Sequence, residues 1–345
     1  MHKMKKEIWE QPIVLKQSYE ANVEKLKTLA KEILDREINN IIFVARGSSD
    51  NAAIYGKYLI EILAGIPVGL AAPSVASIYK TRLKLDKTCV ISVSQSGESN
   101  DICNFVEMAN KSGAMTVAIT NMANSKLSNC ANYTINMGVG VEEAIAATKT
   151  FTAEILLLEL LAAFLGKNEE IVSGLAMIDK VIERALELEE KIKSEVIKFR
   201  YMSECFILGR GIVYPLGLEF ALKIQETSYI RAKGFSTSDF RHGPIAMIAR
   251  DIPVFILALN DETSEDSIEM VNKLTHEKID VVAFSDVDEV KKRCFLYFEI
   301  DKKLDNFMKP LYIAPLIQMF SYYLCVIKGY NPDAPRLLSK VTVTK

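Results

Sequence analysis

The sequence predicts an α/β protein made of two copies of one unit, each with a mainly parallel sheet and helices on both faces. Three observations carry this. Short β-branched runs alternate with longer helix-periodic segments along most of the chain. The same order of elements occurs twice: aligning Arg46-Gly47 with Arg210-Gly211 brings four later and earlier strand candidates into register. Finally, 345 residues give room for two ordinary domains, each with its own core.

The elements follow in order. Residues up to about Asp35 form a charged amphipathic helix that carries the single tryptophan, Trp9. Ile41 to Val44 is a strand, Asn51 to Ala64 a helix, and Thr88 to Val93 a second strand. Asn100 to Ser112 is a helix, Met115 to Thr120 a strand, and Tyr133 to Ile135 a short strand. Two long helical stretches are expected at about Glu142 to Leu165 and Ile171 to Phe199. In the second half, Val254 to Leu257 matches Val90 to Val93, and Val282 to Phe284 matches Val117 to Ile119. Phe295 to Phe298 falls near the counterpart of Tyr133 to Ile135. The expected division is 1–35, an N-terminal helical segment; 36–170, the first domain; 171–199, a connecting helix; 200–334, the second domain; and 335–345, a C-terminal lid.

Composition narrows the function. The chain is 49% hydrophobic and 25% charged, with mean hydropathy +0.12, as in a soluble globular protein. A net charge of −2 and an isoelectric point near 6.1 supply no basic field for nucleic acid or an anionic membrane, so neither partner is expected. No apolar signal block follows Met1, and the greasiest run, Ile155 to Leu165, is short and carries Glu159, so a cytoplasmic location is expected. The six cysteines are scattered without a CxxC pair and read as buried free thiols; no metal and no cofactor are expected.

Any anion must therefore be captured locally. Ser94-Gln95-Ser96-Gly97-Glu98-Ser99 stands where a buried strand ends and a helix begins. Ligands collect at the carboxyl ends of parallel strands, and a helix N-terminus offers unsatisfied N–H groups. Serine hydroxyls and the Gln95 amide add donors, and Gly97 permits close backbone approach. The alternative is a plain turn with Ser99 or Asn100 as N-cap. The matching loop of the second copy, Asn260 to Asp266, is acidic and would repel phosphate, so a single phosphate site is expected, in the first copy. Arg46-Gly47-Ser48-Ser49-Asp50 is a second strand-to-helix loop, where Ser48 and Ser49 either donate to a ligand or cap the helix. No GxxxxGK[ST] loop exists, and Gly209 to Tyr214 is a failed dinucleotide fingerprint.

The second copy carries different chemistry. Glu219, Lys223 and Glu226 share one face of a helix from about Pro215 to Ile230, where the first copy has Tyr55, Leu59 and Ile62. Charge on a face that is apolar in the sister copy is costly unless it is paired or used. Arg241-His242-Gly243-Pro244 puts a histidine in a turn, where it can exchange protons near neutral pH. The C-terminal Pro335 to Lys345 reads as an ordered end with Lys340 as a reaching amine.

Together these residues resemble the tandem sugar-isomerase (SIS) family, in particular the isomerase module of glutamine–fructose-6-phosphate aminotransferase. The matching pieces are Arg46 to Ser49, Ser94 to Ser99, Ala146 to Phe151, Ala221 to Ile230, Phe240 to Pro244 and Pro335 to Lys340. The resemblance implies two flavodoxin-like SIS domains. It implies that Ser49, Ser94, Gln95, Ser96 and Ser99 hold the sugar phosphate and neighbouring hydroxyls, with backbone contacts from Ile145 and Ser339. It implies Glu226 as the C1–C2 proton shuttle with Lys223 beside it, His242 in ring opening, and Lys340 as a Schiff-base amine. It also implies a homodimer in which His242 reaches the neighbouring subunit's site. Departures are His2 where a glutaminase cysteine would stand, Asp239 for a usual glutamate and Ala147 for a common serine. Glutamine is therefore not expected as this chain's own nitrogen donor. The function expected is conversion of glucosamine 6-phosphate to fructose 6-phosphate and ammonia. The alternatives are a fructosamine-6-phosphate deglycase and a non-catalytic sugar-phosphate sensor.

Overall fold

A computed structural model describes residues 1–340. It contains two five-stranded, wholly parallel sheets. The first comprises β1 (Asn40–Val44), β2 (Val68–Leu70), β3 (Thr88–Ser94), β4 (Met115–Thr120) and β5 (Tyr133–Asn136), in the order β2-β1-β3-β4-β5. The second comprises β6 (Glu204–Gly209), β7 (Arg231–Ser236), β8 (Val254–Ala258), β9 (Val281–Ser285) and β10 (Leu296–Glu299), in the order β7-β6-β8-β9-β10. Substituting each strand by its counterpart turns one order into the other, so the duplication read from the sequence is real in the fold. The central strands β3, β4, β8 and β9 are buried at every residue, as a parallel sheet covered on both faces requires.

The chain divides into two compact units. One gathers Met1–Trp9, Ala144–Thr148 and Lys180–Leu337 around the second sheet. The other holds Glu10–Glu143 and Lys149–Asp179 around the first sheet, with Leu338 to Lys340 among the described residues at its C-terminal end.

In the unit of the first sheet, the helix Ser48–Ala64 packs on the helix Lys149–Leu165. Nearly all of the latter is buried, including Glu154 and Glu159. Tyr55 donates to Glu159 across this contact at 2.7 Å. In the unit of the second sheet, the helix Tyr214–Ser228 lies on β6 and β7 and against the helix Lys309–Ile327. Phe220 is the pivot of that core, with ring centroids 5.4–5.7 Å from Phe255, Phe284 and Phe320. The helix Lys309–Ile327 is apolar enough to cross a membrane, yet it is buried from Lys309 to Cys325 as the central helix of this core.

Several expectations need correction. Two edge strands, β2 and β7, were not foreseen: β2 has three residues, and β7 alternates charged and small residues instead of β-branched ones. Ile171 to Phe199 is not one helix but three short ones, Glu169–Leu175, Ile178–Leu186 and Glu189–Glu195, followed by a 3-10 turn. The break re-phases the apolar stripe so that Ile171, Leu175, Ile178, Ile182 and Ile192 are all buried. The helix expected from Glu142 begins only at Lys149. Of the presumed packing face in the first copy, Tyr55 and Leu59 are fully buried but Ile62 is exposed. Cys130 and Cys294 are half-buried, unlike the other four cysteines. The alternating Val341 to Thr344 lies outside the described residues.

Candidate active site

The order β2-β1-β3 defines the site. The chain leaves β1 toward β2 on one side, while β3 pairs with β1 on the other, and the crevice between the two exits is where open parallel sheets hold ligands. The exits of β1 and β3 here are Arg46 to Ser49 and Ser94 to Ser99. Arg46, Gly47, Ser49, Ser94, Gln95, Ser96, Ser99 and Lys340 line one cleft of about 380 Å³. All five side chains assigned to the phosphate, and the C-terminal amine, therefore belong to one cavity.

The serine loop is held by its own backbone. Ser94 Oγ accepts from Gly97 N–H at 3.1 Å, and Ser96 Oγ accepts from Glu98 N–H at 3.3 Å. Gly97 sits at φ 64°, and a Cβ there would lie 2.2 Å from Ser125 Oγ. No other residue fits without displacing the Ser125 turn. Ser99 occupies the N-cap position of the helix Asn100–Lys111, but its hydroxyl makes no capping bond. The plain capping role weighed for this serine is therefore not the one seen. The hydroxyl of Ser49 donates to the buried Glu154 at 2.7 Å, which fixes its direction in the cleft.

Two cations serve the cleft, and each is tied to a buried carboxylate. Arg46 places Nε 2.9 Å and Nη2 2.8 Å from Asp101 Oδ2, and Asp101 is 2% exposed. Lys340 Nζ lies 2.5 Å from Glu142 Oε2. Glu142 also accepts from Thr150 N–H at 3.1 Å and from Thr150 Oγ1 at 2.8 Å, so the same carboxylate caps the helix Lys149–Leu165. Glu142, Asp101 and Glu154 were absent from the residues singled out by sequence, and Arg46 was named there only as part of its loop, with no role of its own. Their signal was only a carboxylate or arginine beside each motif. Ser339 is exposed.

The second group lies on the helix Tyr214–Ser228 and the turn after β7. Lys223 is fully buried, with Nζ 3.3 Å from Glu219 Oε1 and 2.5 Å from Glu226 Oε2. Glu219 is likewise fully buried, whereas the Glu226 side chain is 21% exposed. A solvated surface stripe is thus excluded. Burial by itself would lower the Lys223 pKa, but Glu219 and Glu226 outweigh it and hold the ammonium above its ordinary value. Glu226 is the member of this trio that solvent or a ligand can reach.

His242 is exposed and ends the short helix Thr237–Arg241, its N–H bonded to Asp239 O at 3.1 Å. Asp239 and Ser236 form a reciprocal cap, with Ser236 Oγ donating to the carboxylate at 2.7 Å and accepting from Asp239 N–H at 3.1 Å. Arg241 is drawn aside to Asp266 and Glu269, at 3.2 and 3.4 Å. Ile145, in the stretch Ala144–Thr148, is half-buried. The second-copy loop satisfies itself: Asp261 accepts from both the N–H and the hydroxyl of Thr263 at 2.7 Å. An N–H that would meet an anion in the first copy is spent on a carboxylate here.

The fold and the serine cleft together define an α/β protein of duplicated design with a hydroxyl-lined cleft at the switch point of its first sheet. The chain belongs to the SIS domain family, whose profile matches residues 36–164 and 199–325. It is 32% identical over 348 residues to the glutamine–fructose-6-phosphate aminotransferase of Pyrococcus horikoshii, covering 99% of this chain and 58% of that protein. The corresponding enzyme of Methanothermobacter thermautotrophicus is 35% identical over 348 residues, again with 99% and 58% covered. The chain thus spans a little over half the length of these curated relatives. Among solved structures, the C-terminal domain of glucosamine-fructose-6-phosphate aminotransferase from Francisella tularensis superposes with a TM-score of 0.89 at 28% identity, covering 97% of this chain and 98% of that one. A glucosamine-6-phosphate deaminase from Thermotoga maritima shares the fold, with a TM-score of 0.77 at 22% identity and coverage of 99% and 100%.

Proposed function

We propose that the chain is a phosphosugar aldose–ketose isomerase/deaminase that converts glucosamine 6-phosphate to fructose 6-phosphate and ammonia. The observation that carries this reading is the buried Glu219–Lys223–Glu226 cluster, with one reachable carboxylate, in a chain that also has a serine-lined anion cleft at its switch point. A sensor would need the cleft alone.

In this reading the phosphate is held by Ser94, Ser96, Ser99, Gln95 and the helix N-termini after β1 and β3. His242 gives and takes the proton that opens the pyranose ring. Glu226 removes the proton from C2 of the open-chain aldehyde and returns it to C1, as general acid–base catalysis requires of one carboxylate serving both carbons. Lys223 orients that carboxylate and stabilises the oxygen on which charge develops. The product of proton transfer is a ketimine at C2, which water hydrolyses to the ketose and ammonia. Lys340 acts as the amine that condenses with a ketose carbonyl when the reaction runs in isomerisation or in reverse. A homodimer, with the exposed His242 turn serving the neighbouring subunit, is part of the same proposal.

Product analysis tests it. The chain is incubated separately with glucosamine 6-phosphate, fructose 6-phosphate and fructosamine 6-phosphates of amino acids, and products are read by NMR. Ammonia with fructose 6-phosphate from the first substrate is the expected result. Release of a free amino acid from the third, with no action on the first, would replace the proposal with a deglycase.

A further inference from the structure

Arg46 stands in the wall of the serine cleft with no task in the proposed mechanism. Asp101 Oδ2 takes the side edge of its guanidinium, Nε at 2.9 Å and Nη2 at 2.8 Å. A guanidinium has five N–H donors in a rigid fork. Among the described residues no acceptor meets Nη1 or the second N–H of Nη2. The side chain is half-exposed, and the end left over is the two-nitrogen edge that matches two oxygens of a phosphate.

The anchor of this fork is itself fixed. Asp101 is buried in the first turn of the helix Asn100–Lys111, and its Oδ1 accepts from Ile102 N–H at 3.0 Å. That helix starts directly after Ser99. The serine loop and the carboxylate that orients Arg46 therefore belong to one continuous piece of chain.

Proton and charge accounting shows what the hydroxyls lack. Ser49 gives its hydrogen to Glu154, so toward the cleft it offers lone pairs. Ser94 and Ser96 accept from backbone N–H groups and keep their hydrogens to give, but they are neutral. Behind these donors stand three buried carboxylates, Asp101, Glu142 and Glu154. A phosphate monoester carries close to two negative charges above pH 7. Neutral hydroxyls in front of buried carboxylates do not balance that charge, whereas a guanidinium with a free fork does. Lys340, the other cation of the cleft, has its ammonium on Glu142 at 2.5 Å.

We propose that Arg46, held edge-on by Asp101, is the cation of the phosphate subsite and makes that subsite selective for a dianion. Asp101 is the positioning residue: it fixes the fork before the ligand arrives, so little freedom is lost on binding. A lysine at position 46 would bring the charge without the fork. The inference rests on the reading of the cleft as the sugar-phosphate site.

The full chain is titrated by calorimetry at pH 7.5 with glucosamine 6-phosphate and with glucosamine 6-sulfate, which keeps the shape with one charge fewer. Wild type should prefer the phosphate. Arg46→Met should weaken phosphate binding roughly 30-fold and sulfate binding much less, so that the preference collapses. Arg46→Lys should recover only part of the loss, and Asp101→Asn should reduce the preference while leaving the arginine in place. A merely structural role would weaken both ligands alike, and that result overturns the proposal, as does an Arg46→Met variant with wild-type affinity for the phosphate. If Arg46→Met alone fails to fold, Arg46→Met with Asp101→Asn removes the buried charge along with its partner, and the same ratio decides. Wild type that binds neither ligand sinks the reading of the cleft itself, whereas wild type that binds both equally well sinks only the role of Arg46.

Discussion

Single residues set the geometry of the anion cleft, and Gly97 has the least freedom among them. Gly97→Ala meets both a left-handed backbone and the Ser125 side chain. We expect a loss of roughly 1–3 kcal/mol in unfolding free energy and loss of sugar-phosphate binding. Denaturant melts and calorimetry read the two effects, and unchanged values in both would show that the loop tolerates a Cβ. Glu142 is the second residue to examine, because its carboxylate holds Lys340 and caps a helix at once. Glu142→Gln keeps an acceptor for Thr150 but removes the charge opposite the amine. The expected outcome is a fall of about tenfold in kcat/KM with the melting temperature little changed. A large thermal shift at full activity would make Glu142 a cap and nothing more. The serines stood out in the sequence because their loops follow expected strands, and Lys340 only as a reaching amine in the C-terminal tail. Glu142 was not, since Glu142-Glu143 before a greasy run reads as an ordinary helix start.

Among the elements, the helix Tyr214–Ser228 carries the unusual energetics. A fully buried lysine between two carboxylates is stable only while all three are present. Lys223→Met leaves Glu219 buried without its cation, and we expect a loss of about 3–5 kcal/mol, measured by chemical denaturation. The same cluster has a signature in pH. Lys223 has a raised pKa in the fold, so its stabilisation is fully present below the lysine value of the unfolded chain and is lost as pH rises through the folded value. Burial first, then Glu159, also raises Tyr55, which acts in the same direction. Stability should therefore decline above about pH 10, and the decline should be shallower, not absent, in Lys223→Met. An identical slope in the variant would remove Lys223 from the account of alkaline unfolding. The major strands were legible because buried parallel strands write themselves as β-branched runs. The edge strands β2 and β7 were not, because an edge tolerates glycine, charge and brevity. The broken helix after Glu169 escaped notice for another reason: apolar spacing survives a change of phase when each piece is only two turns long.

Over the whole molecule, one unit has been duplicated and its copies have diverged in charge. The first kept donors at its switch point and an apolar helix face at Tyr55 and Leu59. The second has an acidic loop in which Asp261 is satisfied by Thr263, and a buried charge cluster in the equivalent helix. Divergence of this kind was readable from the aligned halves, but the pairing of Lys340 with Glu142 needed the fold. The most direct test of this division of labour is the steady-state release of ammonia from glucosamine 6-phosphate by wild type, Glu226→Gln and Ser96→Ala. The wild type should turn the substrate over. Glu226→Gln should bind it with similar affinity while kcat falls by roughly 100-fold or more, and Ser96→Ala should raise KM with kcat largely kept. A wild-type chain that binds sugar phosphate but turns over no amino-sugar phosphate would contradict the enzymatic reading, as would a Glu226→Gln variant with undiminished kcat.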